Sequence, residues 1–191
     1  MTPAGFRHLH DTEIAELARL RVVRASFAAP DGTRFERDVV RNNEVVAMVP
    51  LAEDRTVWLV RQYRGPIDRE ILEIPAGLCD VDGEPPEATA ARELVEEVGL
   101  EAESLELIAR FPPAAGFSDQ YVRLYLATGL TEVPHDRQGP EEAHMTVERV
   151  ALDDVPALIA SGELIDSKTI IGLLLAREHL AAEALAAEPP R

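Results

Sequence analysis

The sequence predicts an α/β protein in which a small N-terminal antiparallel sheet precedes a mixed sheet sandwiched by helices. Three observations carry this expectation. Two β-branched runs, 19–28 and 33–42, bracket Ala29-Pro30-Asp31-Gly32, a tight-turn sequence that makes them a hairpin. Six further runs of strand composition follow them. Three helical patterns, at about 87–98, 152–161 and 167–187, separate and close those runs. The 191 residues suffice for one domain with a small appendage, and the division falls at 1–42 and 43–191.

The N-terminal hairpin is too small to bury a core alone, so it is expected to pack on something else. The next strands are expected at 44–51, 56–63, 70–74, 105–111, 121–127 and 145–150. Pro85 and Pro86 stand where a helix starts without losing a hydrogen bond, and Gly99 stands where one stops. The last helix is expected to begin after a cap at Asp166 or Ser167. The four residues EPPR at 188–191 are expected to fray.

Hydrophobic residues make up 46% of the chain and charged residues 28%, which excludes wholesale disorder. Nineteen basic against 35 acidic residues leave a net charge of −16, a surface that repels phosphate backbones and disfavours nucleic acid. The same carboxylate excess suits a protein that collects divalent cations. The single cysteine, Cys79, excludes an internal disulfide and fits a reducing compartment. The N-terminal segment has no apolar signal-peptide core, and no uncharged apolar run reaches membrane-spanning length, so a cytoplasmic protein without membrane partners is expected. Among the basic residues only Lys168 is a lysine.

Chemistry concentrates in residues 76–100, AGLCDVDGEPPEATAARELVEEVGL. At about 100° per residue, Glu93 at 0° puts Glu97 near 40° and Glu96 near −60°. Ala91, Leu94, Val95 and Val98 then fall on a separate arc, predicted to be the core face, with the three carboxylates opposite. Carboxylates at this spacing repel one another on an exposed helix, and only Arg92 is placed to help, reaching Glu96 at i+4. Taken alone, the cluster fits either a solvated acidic face or a site for a hard cation, Mg²⁺ or Mn²⁺, bound through oxygen.

Gly77, Glu84, Arg92-Glu93-Leu94, Glu96-Glu97, Gly99 and Leu100 resemble the signature of the Nudix hydrolases. The match is complete from Glu84 onward. The departure is one extra residue between Gly77 and Glu84, in a loop ahead of the helix. EIPAGL (73–78) and GFSDQYVRLYLATGL (116–130) are similar to the ADP-ribose pyrophosphatase branch, although Ala115 stands where that branch commonly has proline. The resemblance implies an α/β/α Nudix sandwich and hydrolysis of a nucleoside diphosphate linked to another moiety. It implies Glu93, Glu96, Glu97 and the Ala76 carbonyl as ligands of Mg²⁺ (or Mn²⁺), Arg92 as their orienting partner, and Gly77, Glu84 and Gly99 as structural members of the motif. It also implies a general base from the loop 131–144, where spacing leaves Glu141 and Glu142 open, with Glu142 preferred.

Arg64, Arg37 and Glu73 are the substrate-binding candidates, since a guanidinium binds phosphate bidentately and stacks on rings. For each arginine an ordinary surface ion pair is an equal alternative. The expected reaction is hydrolysis of ADP-ribose to AMP and ribose 5-phosphate. The alternatives are another diphosphate, such as NADH or GDP-mannose, or a non-catalytic nucleotide-binding regulator. In the resembling enzymes the N-terminal segment crosses onto a second subunit, so a homodimer is expected.

Overall fold

The computed structural model of the protein describes residues 5–135 and 144–187. Glu141, Glu142 and the 188–191 tail lie outside the described residues. The chain divides into two compact units, one running to Glu44 and taking in Pro112–Tyr121, the other made of Val45–Phe111 and the chain from Val122.

The first unit is a three-stranded antiparallel sheet of β1 (Arg7–Glu16), β2 (Arg21–Ala28) and β3 (Arg34–Arg41), in that order. The expected hairpin is present as β2 and β3, paired from Arg21↔Arg41 to Ala28↔Arg34. β1 is an addition to the expectation. Its sequence, RHLHDTEIAE, is almost wholly exposed and is broken by two register shifts, so it lacks the apolar alternation that reveals a strand. Phe27 and Phe35 stack at 5.3 Å between centroids, and Phe6 meets Phe35 edge-on at 6.2 Å. Segment 112–121 joins this unit through Val40 N–H to Phe117 O, 2.8 Å, and through Arg41, which bridges Asp11 and Asp119.

The second unit contains two sheets. One has the order β7 (Ala76–Leu78), β4 (Val45–Pro50), β9 (Val122–Glu132), β8 (Leu100–Phe111), with β4 and β9 parallel and the other pairs antiparallel. The other is antiparallel, with β5 (Thr56–Arg64) between β10 (Thr146–Ala151) and β6 (Arg69–Glu73). Three helices complete the unit: α1 (Pro86–Val98), α2 (Val155–Ser161) and α3 (Ser167–Ala187).

Period-two alternation in the buried strands determines where the helices go. In β4, Val46 and Met48 pack with Ala90, Leu94 and Val98 of α1, whereas Ala47 and Val49 pack with Leu173 and Ala176 of α3. β9 repeats the pattern, Tyr125 and Ala127 going to the first cluster and Leu124 and Leu126 to the second. The mixed sheet is thus covered by helices on both faces, as the sequence predicts. Among the described residues no helix is long and apolar enough to cross a membrane.

Candidate functional site

Helix α1 is bounded as its punctuation dictates. Pro85 is the N-cap with Pro86 at the first helical position, and Gly99 ends the helix at φ 66° with its N–H returned to Val95 O. The buried face, however, differs from the wheel's expectation. Thr89, Ala90, Leu94, Glu97 and Val98 are buried, whereas Ala91 is exposed and Val95 only half-buried. The carboxylates therefore border the core instead of lying opposite it. The reason is β7, whose backbone supplies what a carboxylate needs to be buried.

Glu97, 6% exposed, accepts the Ala76 N–H at 2.9 Å. One residue on, Gly77 leaves a space that Glu93 fills: a Cβ there would lie 2.0 Å from Glu93 Cδ. A side chain at the motif glycine would therefore displace Glu93 from this position. Arg92 draws the acids together. Its Nη1 donates to Glu93 Oε1 at 2.7 Å and to Glu96 Oε2 at 3.0 Å, and its Nε and Nη2 reach Glu84 at 3.4 and 3.3 Å. Hydrogen bonds from Arg92, then from the Thr89 hydroxyl at 2.8 Å, hold the Glu84 carboxyl below the usual glutamate range. Burial alone would lower the Arg92 pKa, but Glu84, Glu93 and Glu96 outweigh it and keep the guanidinium charged.

This donor set fits a hard divalent cation, which takes anionic and carbonyl oxygens. In the arrangement described, Arg92 is the cation that neutralises Glu93 and Glu96. Among the described residues no three acidic, histidine or cysteine side chains are gathered closely enough to hold a metal as they stand.

A second polar cluster lies in the same unit. Glu73, at the end of β6, is 2% exposed, with Arg64 Nε on Oε2 at 2.7 Å and Lys168 Nζ on Oε1 at 2.5 Å. Glu73 therefore faces inward, and of this pair only the Arg64 side chain reaches solvent. Asp166 caps α3, accepting the Thr169 N–H at 2.9 Å and hydroxyl at 2.7 Å, and also pairs with Lys168 at 3.0 Å. Burial would raise the Asp166 pKa, but the Lys168 charge and the Thr169 bonds hold it below its ordinary value. Sequence reasoning identified Asp166 only as a cap and did not assign Lys168 or Thr169 to any site. Arg37 belongs to the other unit, where its guanidinium lies 5.0 Å from the Phe35 ring centroid and donates to Glu36 O. The candidate bases Glu141 and Glu142 lie outside the described residues.

Residues 41–170 match the NUDIX domain. The chain is 43% identical over 145 residues to the ADP-ribose pyrophosphatase of Mycobacterium tuberculosis, covering 76% of this chain and 70% of that protein. It is 36% identical over 156 residues to the ADP-ribose pyrophosphatase of Bacillus subtilis, covering 81% and 84% respectively. The fold superposes on the crystal structure of an ADP compounds hydrolase with a TM-score of 0.83 at 24% identity, over 96% of this chain and 98% of the other.

Proposed function

The chain belongs to the Nudix hydrolase family, and within it we propose a Mg²⁺-dependent diphosphatase that converts ADP-ribose to AMP and ribose 5-phosphate. The observation that carries this reading is the complete run of motif acids on α1, drawn together by Arg92 and seated against Ala76 and Gly77. The resemblance to ADP-ribose pyrophosphatases supports the choice of substrate. Nudix hydrolases need a divalent cation. We assign Glu93, Glu96, Glu97 and the Ala76 carbonyl to hold it, and when bound it supplies charge neutralisation for the diphosphate.

The protein's own residues do the rest. Arg64 takes diphosphate oxygens and holds the substrate in the site. Glu142, or Glu141, accepts a proton from water as its oxygen bonds to the adenosyl phosphorus. The bridging P–O bond breaks, its electron pair leaves with ribose 5-phosphate, and the water oxygen remains on AMP. Arg92 holds Glu93 and Glu96 in their orientation throughout. Arg37 is assigned to contact substrate in a second subunit, the protein being a homodimer. Support for the dimer comes from apolar side chains left exposed on the small N-terminal unit, Phe6, Leu9, Ile14 and Leu17. The single cysteine suits the reducing cytoplasm that we assign as its location.

The test is incubation of a nucleotide panel with Mg²⁺ in ¹⁸O-water. ADP-ribose should give AMP carrying the label, with kcat/KM above that for NADH or GDP-mannose. Label solely in ribose 5-phosphate would overturn the site of attack. Absence of AMP beside rapid cleavage of another diphosphate would overturn the substrate.

A further inference from the structure

We propose that Lys168 is a positioning residue which, acting through Glu73, sets Arg64 for the substrate diphosphate. The inference rests on the assignment of Arg64 to the diphosphate. Lys168 is the single lysine of the chain and stands in the first turn of α3, where the helix dipole disfavours a cation. Helix stability therefore does not account for it. Its side chain is 12% exposed and its ammonium bridges Glu73 and Asp166. The result is a chain of alternating charge, Arg64–Glu73–Lys168–Asp166. Thr169 ties it to the backbone beside Glu73, since its hydroxyl accepts the Ile74 N–H at 2.9 Å while donating to Asp166.

The geometry divides the two oxygens of a buried carboxylate between two cations. Lys168 holds Oε1, while Nε and Nη2 of Arg64 both lie 2.7 Å from Oε2. Among the described residues Glu73 is the only partner of Arg64, whose side chain is 41% exposed. The remaining guanidinium N–H groups are therefore free to meet an anion from solvent.

Without Lys168, Oε1 becomes a buried acceptor lacking a donor, which is unfavourable. The adjacent guanidinium can satisfy it by turning its planar fork onto both oxygens, the preferred bidentate geometry. That turn draws the donors away from solvent. The full negative charge of Glu73 then also falls on Arg64 instead of being shared with Lys168. Both effects weaken a contact made equally in the ground and transition states, which raises KM and leaves kcat alone. A residue that merely fastened α3 to the sheet would lower the melting temperature without this division.

The experiment is steady-state kinetics on ADP-ribose with Mg²⁺, with melting temperatures, for Lys168→Met, Lys168→Arg, Arg64→Gln, Glu73→Gln and the double variant Glu73→Gln/Lys168→Met. Lys168→Met should raise KM about tenfold with kcat within about twofold, and Lys168→Arg should restore most of the loss. In the Glu73→Gln background Lys168→Met should add nothing to KM, because the carboxylate through which it acts is gone. This comparison also decides the matter if Lys168→Met alone fails to fold, since the double variant removes the Glu73 carboxylate together with the ammonium, and Asp166 keeps its two bonds from Thr169. A raised KM in Arg64→Gln beside an unchanged KM in Lys168→Met overturns the proposal alone. A further rise in the double variant over Glu73→Gln does the same. An unchanged KM in Arg64→Gln overturns the assignment of Arg64, and the proposal with it.

Discussion

Replacing Gly77 with alanine tests the site with a single methyl group. The backbone at Gly77 is not left-handed, so alanine meets no conformational strain and the effect is purely steric. The added Cβ would lie 2.0 Å from Glu93 Cδ, 2.2 Å from Oε1 and 2.4 Å from Cγ. Ordinary carbon contacts are about 3.5–4.0 Å, so the end of Glu93 must retreat by roughly 1.5–2 Å. Its 2.7 Å bond from Arg92 does not survive such a shift. Overpacking of this kind and loss of a charge-assisted hydrogen bond overlap, and together cost about 1–3 kcal/mol. At about 2–4 °C per kcal/mol for a chain of this length, the melting temperature should fall by roughly 2–12 °C.

Turnover should suffer far more, because misplacing a catalytic group by about 1 Å can lower the rate on the order of 10²-fold. Calorimetry and initial rates on ADP-ribose with Mg²⁺ measure the two effects separately. Adding Glu93→Asp shortens the opposing side chain by one methylene, and should recover the melting temperature but not turnover. A Gly77→Ala protein with unchanged melting temperature and turnover would refute the reasoning, because Glu93 would then have no fixed place against β7.

Glu97→Gln keeps an acceptor for the Ala76 N–H and a similar helix propensity, so the fold should persist while turnover drops at least about 10²-fold; a chelator should do the same to the parent protein, and full activity in either case would remove the metal assignment. Asp166→Asn still caps α3 but carries no charge. Because the Asp166 carboxyl is depressed in the folded state, its stabilisation is complete above the ordinary aspartate range and is lost as pH falls through the depressed value. The variant should therefore show a flatter fall in melting temperature as pH drops below about 4, and an unchanged acid limb would count against the Lys168 and Thr169 contacts. Light scattering should give twice the 21.0 kDa chain mass, and a fully active monomer would reject the dimer.

What could be read from the sequence follows from the range over which each signal acts. The ends of α1 and α3 were legible because Pro85-Pro86, Gly99 and Asp166 act within a turn of their own backbone. The core strands were legible because burial on both faces demands continuous apolar runs, as in β4 and β9. β1 was not, since an exposed edge strand needs no apolar alternation and its partner's backbone supplies the pairing. Family resemblance pointed to Glu93, Glu96 and Glu97, but the wheel put them on the wrong side of the helix. A wheel treats a carboxylate as solvent-seeking, whereas Glu97 is buried by an N–H from Ala76, 21 residues earlier, and Glu93 is half-buried in the space left by Gly77.

The same limit concealed the Arg64–Glu73–Lys168 cluster, because 95 residues separate Glu73 from Lys168 and no spacing rule spans them. Two local signals were nonetheless present: a lone lysine among arginines, and a cation in a first helical turn that the dipole disfavours. A charge that local energetics oppose has to be compensated by tertiary structure, and here the compensating group is a carboxylate 2% exposed. Since Glu73 begins the segment that runs through Ile74 and Pro75 to Ala76, the turn that holds Arg64 also fixes the backbone against which Glu97 is bound. The arginine assigned to the diphosphate and the acids assigned to the metal are therefore located by one stretch of chain, so a change at Lys168 has a physical route to substrate binding without touching either.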